Sequence, residues 1–139
     1  MITTQNIALD SCVVISMIEN PGLGLKLKRG LKGKSVKIIL CDIVLSEVNR
    51  VRGYAKDYII TKISKILGKS IILQQTSLQE KEDAQKLSEQ FLECHNGDNV
   101  ILALCKLRDY ILVTFDRALL RTCNFVGVIA FSPLRAGDI

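Results

Sequence analysis

The chain has 139 residues, a length that suits one domain and can bury a core without disulfide or metal staples. With 48% apolar and 24% charged residues it reads as globular rather than disordered, and no apolar run approaches the roughly 18 residues of a membrane span. Net charge is +5 but uneven: residues 1–75 hold twelve Lys/Arg against five Asp/Glu, and residues 76–139 hold seven against nine.

The N-terminus, Met1 to Asn6, lacks the basic region of a secretory leader, so a cytoplasmic protein is expected. Thr3 to Leu9 reads as a short strand with Asp10 at its carboxyl end, and Cys12 to Ile18 opens a helix. Pro21-Gly22 and Gly24 break that helix, and a basic amphipathic stretch follows to Leu31, with Gly30 and Gly33 punctuating the turn. Lys26, Lys28, Arg29, Lys32, Lys34 and Lys37 form the densest basic run, with no acid between Glu19 and Asp42. Such a run suits a polyanion and equally suits a solvated helix face.

Val36 to Leu40 is a second strand, apolar and β-branched, and Asp42 is placed to cap a helix to about Arg52. After Gly53, Tyr54 to Leu67 reads as a helix with Tyr58, Ile59, Ile63, Ile66 and Leu67 near its apolar stripe. Tyr58 is expected in the core. Ile71 to Leu73 is a short strand. Ser77-Leu-Gln-Glu80 is a capping box that opens a helix to about Cys94, and Asn96-Gly97 breaks it. Asp98 to Asp109 is a nearly all-apolar, hence buried, helix, and Tyr110 to Phe115 a continuous apolar strand of the central parallel kind. Arg117 to Thr122 reads as a short helix and Gly127 to Phe131 as a last strand. Strands alternate with helices throughout. The expected fold is α/β, three layers α/β/α around a central parallel sheet of about five strands, in one domain over residues 1–139.

The five cysteines, Cys12, Cys41, Cys94, Cys105 and Cys123, are odd in number and show no Cys-x-x-Cys spacing. That argues against zinc or iron–sulfur sites and for reduced core thiols. His95, the only histidine, reads as an exposed residue near a helix end.

Four acids carry the chemistry: Asp10, Glu47, Asp98 and Asp116. Asp10, Asp98 and Asp116 are embedded in almost wholly apolar segments, where a carboxylate is costly unless something positive pairs with it. No Lys or Arg recurs beside all four. Each has a bland role open to it: Asp116 as cap of the following helix, Asp98 as complement to a helix N-terminus, Glu47 paired with Arg50 or Arg52, Asp10 closing a turn through Ser11. All four lie at strand ends or on the border of an apolar helix face. In open α/β sheets that places them where ligands bind, beyond the carboxyl ends of the strands. A shared divalent metal explains them together, and hard oxygen donors without His or Cys select Mg²⁺ or Mn²⁺.

The ordered motifs Leu9-Asp10-Ser11-Cys12-Val13-Val14-Ile15, Val44-Leu45-Ser46-Glu47-Val48, Gly97-Asp98-Asn99-Val100-Ile101-Leu102-Ala103-Leu104 and Leu112-Val113-Thr114-Phe115-Asp116 resemble those of PIN-domain ribonucleases, the family that includes VapC-type toxins. The resemblance covers essentially the whole chain. It implies metal-dependent endonucleolytic cleavage of RNA leaving a 5′-phosphate and a 3′-hydroxyl. It also implies a homodimer, and an antitoxin protein as partner if the chain is a toxin. Asp10, Asp98 and Asp116 are then the expected metal ligands, with Glu47 a ligand or positioner of the attacking water. Ser11 and Thr114 are expected to orient these groups through their hydroxyls. Asn99 departs from the family pattern, which favours an apolar or small residue there. The basic residues follow no family motif. Tyr54 and Tyr58, near Arg50, Arg52 and Lys56, could stack on bases.

Rival phosphoryl-transfer folds fit less well. A receiver domain wants paired acids after the first strand, and a haloacid-dehalogenase-like phosphatase wants Asp-x-Asp, whereas position 12 is Cys. An rRNA-processing PIN nuclease, or a non-catalytic RNA-binding or assembly module of the same fold, stays open. Ile59, Ile63 and Ile66 are open to both a dimer surface and the core.

Overall fold

Apolar runs flanked by turn residues form strands, and here five of them pair in parallel, the central ones buried. The computed structural model describes residues 4–90 and 98–139. Its strands are β1 (Gln5–Leu9), β2 (Val36–Cys41), β3 (Ser70–Gln74), β4 (Ile111–Val113) and β5 (Ala130–Phe131). The helices are α1 (Ser11–Glu19), α2 (Pro21–Gly30), α3 (Asp42–Arg52), α4 (Lys56–Leu67), α5 (Leu78–Gln90), α6 (Asp98–Arg108) and α7 (Arg117–Val126), and a 3₁₀ segment, Pro133–Asp138, closes the chain. This is the expected three-layer α/β/α architecture with a five-stranded parallel sheet.

The sheet order is β3-β2-β1-β4-β5. From β1 the chain steps outward to β2 and β3, then returns across β1 to β4 and β5. Parallel crossovers are right-handed, so the reversal sends α1–α4 and α5–α7 to opposite faces. It also makes the gap between β1 and β4 the topological switch point, where ligands bind in open α/β sheets. Ile7 pairs with Ile111 and Leu9 with Val113 across that gap, so the two strands end level.

Core packing explains most of the apolar pattern. Ile59, Ile63 and Leu67 form a stripe at four-residue spacing on α4 and are buried, while Ile66 is partly buried. Core packing therefore accounts for Ile59, Ile63 and Ile66. Tyr58 is not in the core: it is 43% exposed, leans on Tyr54 at 5.3 Å between ring centroids, and lies under the Lys62 ammonium at 5.7 Å. Helical geometry turns position 58 a full residue away from the stripe.

Several boundaries moved. Pro21 does break the first helix, but as the first-turn residue of α2, with Asn20 capping it; Gly24 lies inside α2. A Cβ at Gly24 would meet Ile66 Cγ2 at 2.5 Å, so that glycine serves close helix packing. Asp42 is the first residue of α3 rather than its cap, which is Cys41. Its carboxylate binds the N–H of Ile43 and both the N–H and hydroxyl of Thr76, tying the β2–α3 corner to the loop before α5. Helix α7 continues to Val126, where Gly127 at φ +81° ends it, and this shortens the last strand to two residues. The C-terminal 3₁₀ segment was not anticipated; it packs on α2, and Lys34 Nζ donates to the carbonyls of Gly137 and Ile139. The expected helix end at Cys94, the Asn96-Gly97 break and His95 lie outside the described residues. No helix among the described residues is long and apolar enough to cross a membrane.

Candidate active site

β1 and β4 deliver their following residues to one edge of the switch point, and a hydrogen-bonded chain fixes them there. The Asp10 N–H donates to the Val113 carbonyl at 3.0 Å, extending the β1–β4 pairing by one residue. Asp10 then caps α1: its Oδ1 accepts from the Ser11 N–H at 2.8 Å. Its Oδ2 accepts from the Thr114 hydroxyl at 2.7 Å and from the Cys12 thiol at 3.4 Å. The same Thr114 oxygen accepts from the Asp116 N–H at 3.1 Å. A fully buried threonine thus holds one acid by its side chain and the next by its backbone.

Asp116 is the N-cap of α7, with Oδ1 accepting from the N–H groups of Ala118 and Leu119. The capping role and a place at the site coexist, because only one carboxylate oxygen is used for the cap. Glu47 is half-buried on α3 between the buried Val44 and Val48. Asp98 is half-buried as the first residue of α6. The departure at Asn99 has a structural reason: its Nδ2 donates to the Ala84 carbonyl at 3.1 Å, tying the start of α6 to α5.

All four acids line one cleft of about 420 Å³, together with Ser11, Cys12 and Phe115. Among the described residues no Lys or Arg lines it. Another crevice, lined by Leu120, Asn124 and residues 127–130, carries no titratable group. Asp10 is only 6% exposed, yet the donors on its carboxylate are an N–H, a hydroxyl and a thiol, none of them a cation. Four carboxylates around one cleft, with no Lys or Arg in its lining among the described residues, are a donor set that fits a hard divalent ion. Among the described residues no three His, Cys, Asp or Glu side chains are already arranged to hold one ion.

Ser11 and Thr114 both contact Asp10, by different groups. Thr114 acts through its hydroxyl, whereas the contact from Ser11 to Asp10 is made by the backbone N–H. Two residues of the cleft, Cys12 and Phe115, were missed as site residues. Both are legible in retrospect as neighbours of an acid at a strand end. Burial, and then the charge of Asp10, push the Cys12 thiol up to about 11, so it is neutral at physiological pH. It adds a weak donor to the carboxylate cluster and no further negative charge. Cys41, Cys105 and Cys123 are buried, as expected of core thiols.

The structure thus defines an α/β protein with four carboxylates collected at the switch point of a parallel sheet. A family model for the PIN domain matches residues 7–124, and the chain belongs to that family. No curated protein matches it in sequence. Among solved structures, it is similar to VapBC2 from Rickettsia felis bound to a promoter DNA fragment, with a TM-score of 0.64 and 17% identity over 92% of this chain and 98% of that one. It is similar to VapBC-1 from nontypeable Haemophilus influenzae, with a TM-score of 0.67 and 11% identity over 93% and 98%. It is also similar to VapC20 from Mycobacterium tuberculosis, a toxin that cleaves the sarcin–ricin loop, with a TM-score of 0.60 and 15% identity over 83% and 93%. At these identities the likeness is one of fold.

Proposed function

We propose that the protein is a metal-dependent endoribonuclease whose active site is the four-acid cleft, and that it serves as the toxin of a toxin–antitoxin pair. The observation that carries this reading is the convergence of Asp10, Glu47, Asp98 and Asp116 on one cleft with no Lys or Arg in its lining among the described residues. Membership in the PIN family supports the chemistry, since nucleases are its common members. The toxin role is supported by the fold neighbours VapC20 and VapBC, and the antitoxin as partner by the VapBC complexes. The protein would act in the cytoplasm, on RNA, as a homodimer.

In this reading Asp10, Asp98 and Asp116 hold Mg²⁺ or Mn²⁺, and Glu47 is a further ligand or positions the attacking water. When bound, the ion supplies a water of lowered pKa and a charge that offsets the developing negative charge on the phosphate. The chain does the rest by position. Thr114 keeps Asp10 from rotating, and the α7 N–H groups fix one oxygen of Asp116. Phe115, 36% exposed at the cleft wall, offers a flat face beside the scissile position.

Purified protein is expected to cleave single-stranded RNA in Mg²⁺ or Mn²⁺ and to stop in excess chelator, read on a denaturing gel. Cleavage that proceeds undiminished in chelator would overturn the reading. Thr114→Val, which keeps the shape but removes the donor to Asp10 and the acceptor for Asp116, is expected to slow cleavage about 10- to 100-fold, the usual effect of losing an outer-shell partner. A rise in the Mn²⁺ concentration needed for half-maximal rate should accompany it. An unchanged metal requirement with an unchanged rate would show that Thr114 does not support the site.

A further inference from the structure

The cleft accounts for the acids but not for the outer face of α7, which starts at it. Arg117 follows the cleft residue Asp116 directly, and Arg121 and Phe125 come at steps of four residues. Side chains four apart share one helix face, so the three form a row running away from the cleft, about 6 Å of helix rise per step. The opposite face buries Leu119, Thr122 and Cys123. All three residues of the row are exposed, Phe125 at 79%. Phe125 is far more exposed than Leu119 and Cys123 on the buried face, and the two guanidiniums precede it on the side nearer the cleft.

We propose that this row is the track along which single-stranded RNA leaves the cleft, with Arg117 and Arg121 on phosphates and Phe125 stacked on a base. The proposal rests on the nuclease reading of the cleft and adds the path of the substrate. Charge complementarity selects the occupant. Two arginines beside one aromatic suit a strand with one phosphate and one π-face per nucleotide, and the row continues from a site already read as acting on phosphodiesters. Phe115 in the cleft and Phe125 at the far end would then bracket the two arginines with stacking faces.

The test is binding of a fluorescein-labelled, unstructured RNA oligonucleotide to the full chain in chelator, followed by anisotropy across a salt series. Phe125→Ala is expected to weaken binding roughly 5- to 100-fold with little change in salt dependence, and Phe125→Tyr to restore it. The double variant Arg117→Gln/Arg121→Gln is expected to lower the slope of log K against log salt by about 1.4, at roughly 0.7 per phosphate contact on a single strand. The charge-matched Lys28→Gln/Lys32→Gln is expected to leave that slope unchanged. Equal slope loss in both double variants would overturn the track in favour of a diffuse basic field. Unaltered RNA binding in the Phe125 and Arg117/Arg121 variants, with loss of self-association instead, would overturn it in favour of a protein-docking face. Either result leaves the cleft reading standing if the protein still cleaves RNA in Mn²⁺. A protein that neither binds nor cleaves RNA overturns both.

Discussion

Asp98→Asn is expected to reduce RNA cleavage by well over a hundredfold while leaving the fold intact. The substitution preserves shape and removes only the charge. Losing an acid from the first turn of α6 costs the helix about 0.3–1 kcal/mol, far too little to unfold it. With Asp98 holding the metal as proposed, its loss should exceed the 10- to 100-fold penalty of an outer-shell change. Asp116→Asn is the informative companion. Asparagine caps a helix as well as aspartate does, so the bonds to the Ala118 and Leu119 N–H groups survive while the ligand charge is lost. Asp116→Ala would remove cap and charge together and add about 1 kcal/mol of destabilisation. Measured as initial rates in Mn²⁺ beside circular dichroism, the pattern expected is two folded, inactive Asn variants. An Asp98→Asn protein that cleaves at the parental rate would remove Asp98 from the metal site.

How far the sequence discloses this site depends on which signals are local. The capping box was legible because Ser77 and Glu80 are three residues apart, and the structure shows both reciprocal bonds. Helix α6 was legible from its apolar run, and the four acids from their order and their apolar settings. The sheet order was not, because nothing in an apolar strand names its neighbour. Nor was the bridging role of Thr114, whose partner Asp10 is 104 residues away. Tyr58 misled because a stripe drawn at three- and four-residue spacing tolerates one neighbour too many, and on α4 the burial follows Ile59, Ile63 and Leu67 alone. The α7 row was hidden for a related reason: Arg117, Arg121 and Phe125 become a feature only once α7 extends past Thr122 and its outer face is known.

Arg108→Ala is expected to give the largest loss of stability. The Glu80 side chain is wholly buried, and its Oε2 accepts from Arg108 Nε at 2.9 Å while Oε1 accepts from the Ser77 N–H at 2.7 Å. Burial pushes the Glu80 carboxyl up, but the Arg108 guanidinium and Ser77 outweigh it and hold it below the usual carboxylate range. Without Arg108 a buried carboxylate is left with neutral Ser77 donors only. Breaking a fully enclosed pair costs about 3–5 kcal/mol, and since Arg108 is itself 35% exposed about 2 kcal/mol is the better expectation. At roughly 3 °C per kcal/mol for a domain of this size, Tm should fall by about 6 °C at pH 7. Because the folded carboxyl is depressed, the stabilisation is full above the unfolded value near 4.3 and is lost as pH falls through the folded value. In the variant, burial opposed only by Ser77 favours the protonated acid. The gap between parent and Arg108→Ala should therefore narrow steadily as pH falls from 7 toward 4. An equal gap at both pH values would show that packing of the arginine stem, not its charge, does the stabilising. The pair also bears on catalysis. It joins the last turn of α6 to the first of α5, Asn99 joins the start of α6 to Ala84, and α6 begins at Asp98. Loosening one tie should make cleavage by Arg108→Ala fail at a lower temperature than in the parent, ahead of global unfolding.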